Sequence, residues 1–554
     1  MANGATPPMV RAVDEANAPI VIVGAGPVGL ASALSLACHG IRSIVLERRR
    51  DVSALPRARF VNARSMEIFR QLGVESLVRL ASVPDEKTAN AVWLPALVAD
   101  DVRRRRIETV GAPSGEPRSP APGVTTSQDR LDPILLEGAR ATGLVEVRFG
   151  HRVSGVTQRD DGVSVDYTDE AGAARSATAS YVLAADGASS GVRELLGIPM
   201  IGPSGLGHTV NIHFRADLDR AVRGRGVNLA FIMNPRQPGL LLNIDGVTQW
   251  TAQALYNPTL GQRPEDYTAE RCRDVIRTQV GDTDLQIELL GVAPWSSAAR
   301  VAERFQDRRV FLLGDAAHEM PPAGGFGMNT GIHDAHNLAW KLAGVLQGWA
   351  AAPLLDTYEQ ERRPTAQWTT VEVLKNLTSV GRDVDPGSDG ARAASAGPRP
   401  EFFREHGLVF GARYTSAAVL DDGTTVPDRE GQVVDYVPTA APGGRAPHVW
   451  IERSGRRIST LDLLGTHFTV LTHGARTDRT PEIETAAASS GVPLRAFTIA
   501  EHEWAERYGL VEGGGVLVRP DGHVAWRGVR DATVDDILRA LRTVVRPAGA
   551  AAVL

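Results

Sequence analysis

The sequence contains almost no cysteine: Cys38 and Cys272 are the only two among 554 residues, and they form no C-x-x-C pair. A disulfide framework, a zinc knuckle and a dithiol redox centre are therefore not expected, and no metal site is predicted. The scarcity of thiols favours a reducing compartment, so the expected location is cytoplasmic.

Basic charge and long apolar runs are also missing. The formal net charge at pH 7 is −5, so no basic surface is expected to bind nucleic acid or an anionic membrane. No run approaches the roughly 20 apolar residues of a membrane span. Residues 1–18 lack the apolar core of a secretory signal and are predicted to form a short disordered leader. The remaining composition is ordinary for a globular protein, and the length predicts about two to four domains.

The first motif is a glycine-rich turn between a buried strand and a helix. The apolar run at residues 19–23 leads into Gly24-Ala25-Gly26-Pro27-Val28-Gly29, and a second strand ends on Glu47. Gly24 permits the turn, Gly26 lets backbone amides approach a pyrophosphate, and Gly29 allows close helix–strand packing. Glu47 can accept hydrogen bonds from ribose hydroxyls. The pattern predicts an adenine dinucleotide site, without separating FAD from NAD.

Two later motifs favour FAD. Asp186-Gly187 closes another buried strand, and the strand at residues 309–313 ends on Gly314-Asp315. A proline- and glycine-rich loop follows, and a long helix is predicted from about Gly331 to Gln347. This arrangement places a second anion-accepting helix N-terminus on the same sheet edge. Asp315 is short enough to bind the hydroxyls of a linear polyol chain, and the amides of the loop can face a flavin ring.

In type and order, these three motifs resemble those of the class A FAD-dependent aromatic hydroxylases, which are single-component flavoprotein monooxygenases. The resemblance covers most of residues 20–364 and is strongest to the chlorophenol monooxygenases and the hydroxylases of aromatic polyketides. The pattern of residues 444–448 and 517–527 resembles the thioredoxin-like C-terminal domain of that branch. Because this domain lacks C-x-x-C, it is expected to be redox-silent and to serve packing or assembly.

The resemblance implies an α/β fold in which a Rossmann-like FAD-binding domain of the para-hydroxybenzoate-hydroxylase type is interleaved with a β-sheet substrate domain. The predicted boundaries place the FAD-binding domain at residues 19–198 and 301–382, and the substrate domain at 199–300 with part of 85–127. A linker is predicted at 383–400, followed by the thioredoxin-like domain at 401–554.

The resemblance also assigns roles to individual residues. Gly24, Gly26 and Gly29 are expected to hold the pyrophosphate, Glu47 the AMP ribose, and Arg48 lies by the adenine. Toward the flavin, Arg59 is expected near the phosphates and the mobile ring, Gln128 at the ribityl chain, and Asp315 at the ribityl or phosphate region. Asp186 is expected to couple FAD to the reductant. The residues expected around the isoalloxazine are Pro322, Gly324, Gly327, Met328 and Asn329.

Three residues are candidates for catalysis: Pro322 at the face of the ring where oxygen reacts, Arg59, and His213 on the predicted pocket wall. By strand alternation, the wall also includes Asn211, Phe231, Met233 and Trp295, although core packing explains each of these equally well. For His318 and His333, a structural hydrogen bond is favoured over a role as base.

The resemblance implies a function: NAD(P)H reduces FAD, oxygen adds to give a C4a-hydroperoxide, and one oxygen atom is transferred to a phenolic or polycyclic aromatic molecule. Natural-product biosynthesis and aromatic degradation both fit this chemistry. Baeyer–Villiger insertion or epoxidation by the same fold is an alternative, as is a catalytically silent flavin-binding protein. A halogenase is disfavoured because none of the three lysines, Lys87, Lys341 and Lys375, lies in a suitable position. The expected partners are the aromatic substrate and O₂, with self-association into a homo-oligomer also open.

Overall fold

The computed structural model describes residues 19–108, 117–380, 398–426, 432–474 and 479–546. The predicted leader at 1–18 and residues 383–397 of the predicted linker lie outside this part of the chain.

The strands alternate with helices through the first half of the chain and recur in the C-terminal part. They are β1 (Ile20–Val23), β2 (Ser43–Glu47), β3 (Phe60–Val61), β4 (Asn90–Leu94), β5 (Arg103–Arg106), β6 (Val124–Thr125), β7 (Val145–Phe149), β8 (Arg152–Gln158), β9 (Val163–Thr168), β10 (Ala174–Ala179), β11 (Tyr181–Ala184), β12 (Met200–Ile201), β13 (Ser204–Arg215), β14 (Val227–Ile232), β15 (Gly239–Asn243), β16 (Gln249–Tyr256), β17 (Glu288–Ala298), β18 (Arg300–Ala302), β19 (Gln306–Asp307), β20 (Val310–Leu312), β21 (His318–Glu319), β22 (Trp450–Arg453), β23 (Arg456–Ser459), β24 (Phe468–His473), β25 (Leu494–Ile499), β26 (Gly515–Val518) and β27 (Val524–Gly528).

The helices include two long ones in the middle of the chain, α9 and α10. They are α1 (Pro27–Cys38), α2 (Ala63–Gln71), α3 (Glu75–Leu80), α4 (Asp85–Thr88), α5 (Gln128–Ala141), α6 (Gly191–Leu195), α7 (Asp219–Val222), α8 (Ala269–Val280), α9 (Phe326–Leu346), α10 (Thr357–Ser379), α11 (His406–Phe410), α12 (Thr480–Ala488), α13 (His502–Tyr508) and α14 (Val534–Val545). Short 3-10 helices lie at Pro258–Leu260, Pro264–Asp266, Gly314–Ala316, Ala352–Asp356 and Thr460–Leu463. Within the described residues, no helix is both long and apolar enough to cross a bilayer.

The nucleotide sheet has the strand order β19-β20-β11-β1-β2-β7. Strands β1, β2 and β11 are fully buried. Helices α1, α5 and α9 and the antiparallel strands β9 and β10 share one core cluster with them, which explains their unbroken apolar sequences. The strand predicted at 309–313 pairs in parallel with β11, so its return to this sheet is confirmed. The carboxyl ends of β1, β11 and β20 therefore meet at one edge of the sheet.

The substrate sheet has seven strands in the order β17-β13-β16-β15-β14-β4-β5. Its two faces follow the period of two of a β-strand. On one face, Val210, Ile212 and Ala252 pack with Ile276 of α8. The opposite face, called here the pocket face, includes Leu240, which packs in the same cluster as Ala323 and Phe326 after the Gly314-Asp315 turn. The substrate sheet thus presents one face to the segment at residues 314–326, which is called here the cofactor loop.

Helix α9 begins five residues before the predicted start at Gly331. Gly325 lies in the left-handed region with φ 73°, and the helix follows immediately from Phe326. A Cβ at Gly325 would lie 2.8 Å from the ring of Phe60, so glycine is required there on steric grounds as well. The predicted loop at 324–329 is therefore a short turn plus the first turn of the helix.

The C-terminal part forms a four-stranded sheet in the order β25-β24-β26-β27, as the predicted thioredoxin-like domain implies. It packs on α9 and α10 through buried charges. Arg519 donates to both carboxylate oxygens of Glu361, at 2.6 and 2.8 Å, and Lys341 donates to Glu361 at 2.8 Å. Arg519 also bonds Asp521, and Asn337 donates to Asp521 at 3.1 Å. These five residues are called the interdomain charge network.

Candidate active site

The glycine turn after β1 has the geometry that a close backbone approach requires. Gly24 has φ 103°, and a Cβ on this residue would lie 2.4 Å from the carbonyl oxygen of Ala185. A Cβ on Gly29 would lie 1.9 Å from the carbonyl oxygen of Gly24. Both positions exclude any larger side chain, because the obstructing atoms belong to the backbone.

Gly26 differs from these two glycines because nothing lies within 4 Å of where its Cβ would be. Gly26 is the N-cap of α1, and no side chain caps the first amides of this helix. Free amides at the end of a helix dipole favour a negatively charged group. The open space and the uncapped helix therefore fit a pyrophosphate.

Glu47 closes the same site from β2. Its carboxylate accepts from the Ala25 amide at 2.8 Å and from the backbone and Nε of Arg49 at 2.8 and 3.0 Å. Burial alone would raise the pKa of Glu47, but the bonds from Arg49 and Ala25 hold it below its ordinary value. The arginine that fixes the side chain of Glu47 is therefore Arg49, and the neighbouring Arg48 has an exposed side chain.

Asp315 follows β20, at the sheet edge where β1 and β11 end. Its carboxylate reaches solvent and has no hydrogen-bond partner among the described residues. The surrounding protein still desolvates it, which raises its pKa. Its Oδ1 lies 4.0 Å from the Cβ position of Gly327 in the first turn of α9. Asp315 therefore presents unused acceptor positions to solvent at this sheet edge, and the space beside it is called here the cofactor cleft.

Asp334 holds the turn that carries Asp315. It accepts from the Gly314 amide at 3.1 Å, from His318 Nε2 at 2.7 Å and from Arg362 Nε at 2.7 Å. Burial would raise the pKa of Asp334, but Arg362 and His318 keep it low. The ring of His318 is fully buried, which agrees with the structural role favoured for it.

The loop after this turn exposes some predicted contacts and buries others. Pro322 is exposed, and Gly324 and Gly327 are half-buried. Met328 packs in the core of the nucleotide domain. Asn329 donates to the carbonyl oxygens of Phe60 and Gly325 at 2.8 and 2.7 Å and accepts from the Asn62 amide at 3.0 Å. The side chains of Met328 and Asn329 are thus used within the protein, which leaves their backbone for a ligand.

Gln128 begins α5, and its amide donates to Asp132 Oδ2 at 3.0 Å. Asp132 is fully buried, and its Oδ1 has no partner among the described residues. Burial raises the pKa of Asp132 to about 7, against the opposing influence of Arg49 and Arg57. The sequence reasoning missed Asp132, Arg49 and Arg57. The spacing of four residues from Gln128 on a helix is the signal that points to Asp132.

Arg59 turns toward the substrate sheet. Its guanidinium donates to the carbonyl oxygen of Asn243 and to the side chain of Asn228. No carboxylate faces it within the described residues, and burial lowers its pKa to about 9. Exposed Arg57, two residues earlier, is the arginine whose charge acts on Asp315 and Asp132.

Asp186 is partly buried at the end of β11. Its carboxylate accepts from the Ser190 hydroxyl and from the Val192 amide, and desolvation raises its pKa. These bonds tie Asp186 to the start of α6.

The pocket face of the substrate sheet carries a polar strip. His213 Nδ1 bonds the Thr251 hydroxyl at 2.8 Å, and burial lowers the pKa of His213. Asn211 lies two residues away on the same strand and bonds Gln253 and Trp295. We call these five residues the polar strip.

Beside the polar strip, the pocket face is apolar. Trp93 and Phe231 stack with ring centroids 4.6 Å apart, and Leu240 and Leu242 belong to the same cluster. Met233 is 44% exposed and follows the end of β14, so it does not join this wall. The face therefore offers flat apolar contact next to oriented hydrogen-bonding groups.

A separate small pocket lies between α2, α9 and the C-terminal domain. Arg64 donates there to the Asp521 carbonyl at 2.6 Å, His333 Nε2 bonds Ser65 at 3.2 Å, and His336 Nε2 bonds Gln71 at 2.9 Å. Burial lowers the pKa of both histidines, so both are neutral. Because these side chains already have partners within the protein, this pocket is an interdomain seam and not the candidate site. Within the described part of the chain, no group of three or more His, Cys, Asp or Glu could hold a metal.

Comparison with known proteins identifies both parts of the molecule. Residues 17–372 match the family model described as FAD binding domain. Residues 439–548 match the model described as aromatic-ring hydroxylase, C-terminal.

Similar proteins cover almost the whole chain. The tetracenomycin B2 monooxygenase-dioxygenase of Streptomyces olivaceus is 36% identical over 95% of this chain and 97% of its own length. The flavin-dependent monooxygenase PieE, solved with FAD and substrate, has a TM-score of 0.87 at 30% identity and covers 95% of this chain and 99% of its own. Aklavinone-11 hydroxylase, solved with FAD and aklavinone, has a TM-score of 0.85 at 35% identity, with coverage of 96% and 100%.

Proposed function

The chain belongs to the FAD-dependent aromatic-ring hydroxylases, and from that premise we propose that its substrate is a polycyclic aromatic compound of the polyketide type. As a member of this family, the chain is an FAD-dependent monooxygenase that takes electrons from NAD(P)H and hydroxylates an aromatic substrate. The expected fold, cofactors and activity are therefore confirmed.

The pocket face is the observation that carries the proposed substrate class. Its apolar wall spans three neighbouring strands, β4, β14 and β15, and its polar strip continues across β16, β13 and β17. A fused ring system can lie against such a surface and place its oxygen substituents at one end. Relatives that act on tetracenomycin B2 and that bind aklavinone support the same class.

The predicted cofactor residues receive proposed roles that agree with the geometry. Gly24, Gly26 and Gly29 with the start of α1 would bind the pyrophosphate, and Glu47 the ribose. Asp315 would accept from the ribityl hydroxyls, with Gln128 at the same chain. Pro322 and the backbone of Gly324, Gly327, Met328 and Asn329 would line the ring. Bound FAD supplies the transfer of electrons from NAD(P)H and the activation of oxygen.

The protein contributes binding, orientation and control of one proton. His213 is neutral at neutral pH because burial lowers its pKa, and Nδ1 is engaged by Thr251. We assign Nε2, which has no partner among the described residues, to the phenolic proton of the substrate. The apolar wall excludes water from the reacting ring, which favours oxygen transfer over wasteful oxidation of NAD(P)H. Asp186 and Arg59 are proposed to support the cofactor loop and the sheet, respectively.

A substrate screen tests this proposal. Purified holoenzyme is mixed with polycyclic hydroxyquinones and, separately, with monocyclic phenols. NAD(P)H oxidation is followed, and the masses of the products are measured by mass spectrometry. We expect the polycyclic compounds to stimulate oxidation and to gain one oxygen atom, which ¹⁸O₂ would label. Stimulation by monocyclic phenols alone would contradict the proposed class. A homo-oligomer and a cytoplasmic location remain predictions, which ultracentrifugation and cell fractionation measure.

A further inference from the structure

Asn211 lies at the centre of the polar strip. It is on β13, directly opposite Gln253 on β16, and Trp295 reaches it from β17 on the other side. All three side chains point to the pocket face, because the residues next to them in the sequence, such as Ile212 after Asn211 and Ala252 before Gln253, pack against α8 on the opposite face. Asn211 itself is only partly buried, so one side of its amide is open.

Two hydrogen bonds fix the orientation of this amide. Trp295 Nε1 donates to Asn211 Oδ1 at 2.9 Å, and Gln253 Nε2 donates to the same oxygen at 2.9 Å. An indole N–H can only donate, so the atom facing Trp295 must be the oxygen. Both lone pairs of Oδ1 are then in use. The Nδ2 amino group, with two N–H bonds, has no partner among the described residues.

The open amino group is on the side of the sheet that meets the cofactor loop. Leu240 and Leu242 share this face with Gln253 and Thr251, their register partners on β16. The two leucines pack in one cluster with Met320 and Phe326, on either side of Pro322. A molecule held between the sheet and the loop therefore meets two fixed N–H donors.

We propose that Asn211 is a specificity-determining residue whose Nδ2 donates a hydrogen bond to a ketone or quinone oxygen of the substrate. The inference rests on the proposed function and sharpens it: the preferred substrate is a polycyclic aromatic that carries a carbonyl group. A carbonyl oxygen accepts hydrogen bonds and cannot donate, so it matches an N–H donor, whereas a ring position without oxygen leaves that donor desolvated and unpaired.

Binding to the oxidised holoenzyme without NAD(P)H tests this assignment, so turnover is not needed. The probes are 1-hydroxyanthraquinone and 1-anthrol, which share the fused rings and the hydroxyl but differ in the carbonyl groups. Affinities come from perturbation of the flavin absorbance. We expect the wild type to bind the quinone at least about tenfold more tightly than the anthrol, the loss that follows from unpaired buried donors.

The variant Asn211→Asp keeps the size and both accepted bonds but replaces the donors by an oxygen. It should lower the affinity for the quinone by about tenfold or more while changing that for the anthrol by less than about threefold. Asn257→Asp, at an exposed turn after β16, makes the same chemical change and should alter neither affinity. FAD content and melting temperature confirm that the variants are folded.

Trp295→Phe gives an independent test, because it keeps an aromatic ring but removes the donor that fixes the amide. We expect it to reduce the preference for the quinone. Equal losses for both probes in Asn211→Asp, or an unchanged preference in both variants, would overturn the role of Asn211 while leaving the substrate class intact. If the wild type binds neither probe, the proposed class itself fails, and this inference fails with it.

Discussion

The interdomain charge network and the cofactor cleft are both rich in buried or partly buried charge, but they use it differently. In the network, Arg519, Lys341 and Asn337 saturate the carboxylates of Glu361 and Asp521, and all these groups are fully buried. Beside the cleft, the solvent-facing carboxylate of Asp315 and the buried Asp132 Oδ1 have no partner among the described residues. Charge that serves the fold is paired within the protein, whereas charge that serves a ligand keeps hydrogen-bonding positions unused.

The largest expected effect comes from breaking the network. Arg519→Met removes the main partner of Glu361 and leaves Asp521 short of a cation, so both acids become poorly compensated in a dry interior. We expect the free energy of unfolding to fall by about 3–5 kcal/mol, as measured by urea denaturation. A loss below about 1 kcal/mol would mean that the network is solvated and that the contrast with the cleft is false.

A substitution at Asp132 should raise the free energy of unfolding, whereas Arg519→Met should lower it. The pKa of Asp132 is about 7 in the folded protein, while an unfolded aspartate has a pKa of about 3.9. The buried carboxyl is neutral in both states below pH 4, and the folded protein loses stability as the pH rises from about 4 to about 7. Asp132→Asn keeps the acceptor for Gln128 and removes the ionisable group.

The variant should therefore become more stable than the wild type across that pH window, by an amount on the order of 2–4 kcal/mol above pH 7. Urea denaturation of the FAD-free protein at pH 5 and pH 8 measures the difference. A variant that is less stable than the wild type at pH 8 would show that Asp132 is a paired structural acid like those of the network.

Asp315→Ala separates ligand binding from folding. Because the carboxylate bonds no described residue, its removal should change the unfolding free energy of the FAD-free protein by less than about 0.5 kcal/mol. FAD should bind more weakly by about 1.5–3 kcal/mol, which is the value of a hydrogen bond to a charged group. Fluorescence titration with FAD measures this, with Asp160→Ala on an exposed bend as the control. A variant that retains full FAD affinity would remove Asp315 from the site.

The smallest effect is expected at an exposed ion pair outside both regions. Arg215 and Glu288 are 44% and 59% exposed and lie on neighbouring strands of the substrate sheet. Arg215→Met should change the unfolding free energy by less than about 0.5 kcal/mol, because solvent screens the pair. A larger change in urea denaturation would show that the ion pairs of this protein cannot be ranked by burial.

Local sequence patterns predicted the parts of the fold that are determined locally. The glycine turn at Gly24, the strands of the first βαβ unit and the alternating strands β13 to β16 all depend on neighbouring residues. The start of α9 was predicted too late, because the left-handed turn that precedes the helix lies at Gly325. Gly331, the last glycine before the apolar run, is already inside the helix.

Long-range contacts could not be predicted in the same way. The strand pairing of β4 with β14 joins residues 90–94 to 227–232, and no local pattern specifies that register. Arg59 and Arg57 are two residues apart and chemically alike, yet one enters the substrate sheet and the other faces the cleft. The packing of distant strands decides which of the two arginines enters the substrate sheet and which faces the cleft. The same is true of Asp132, whose burial becomes apparent only in three dimensions.

The contact between the two halves of the molecule extends beyond the charge network. Glu67 of α2 pairs with Arg445. Arg362 bonds Asp334, which holds the Gly314-Asp315 turn, and donates to the Tyr414 hydroxyl at 3.0 Å. These partners lie on separate segments of the chain and cannot be exchanged one at a time. A chimera that replaces the C-terminal domain by that of a relative would therefore keep these contacts only if both members of each pair are exchanged together.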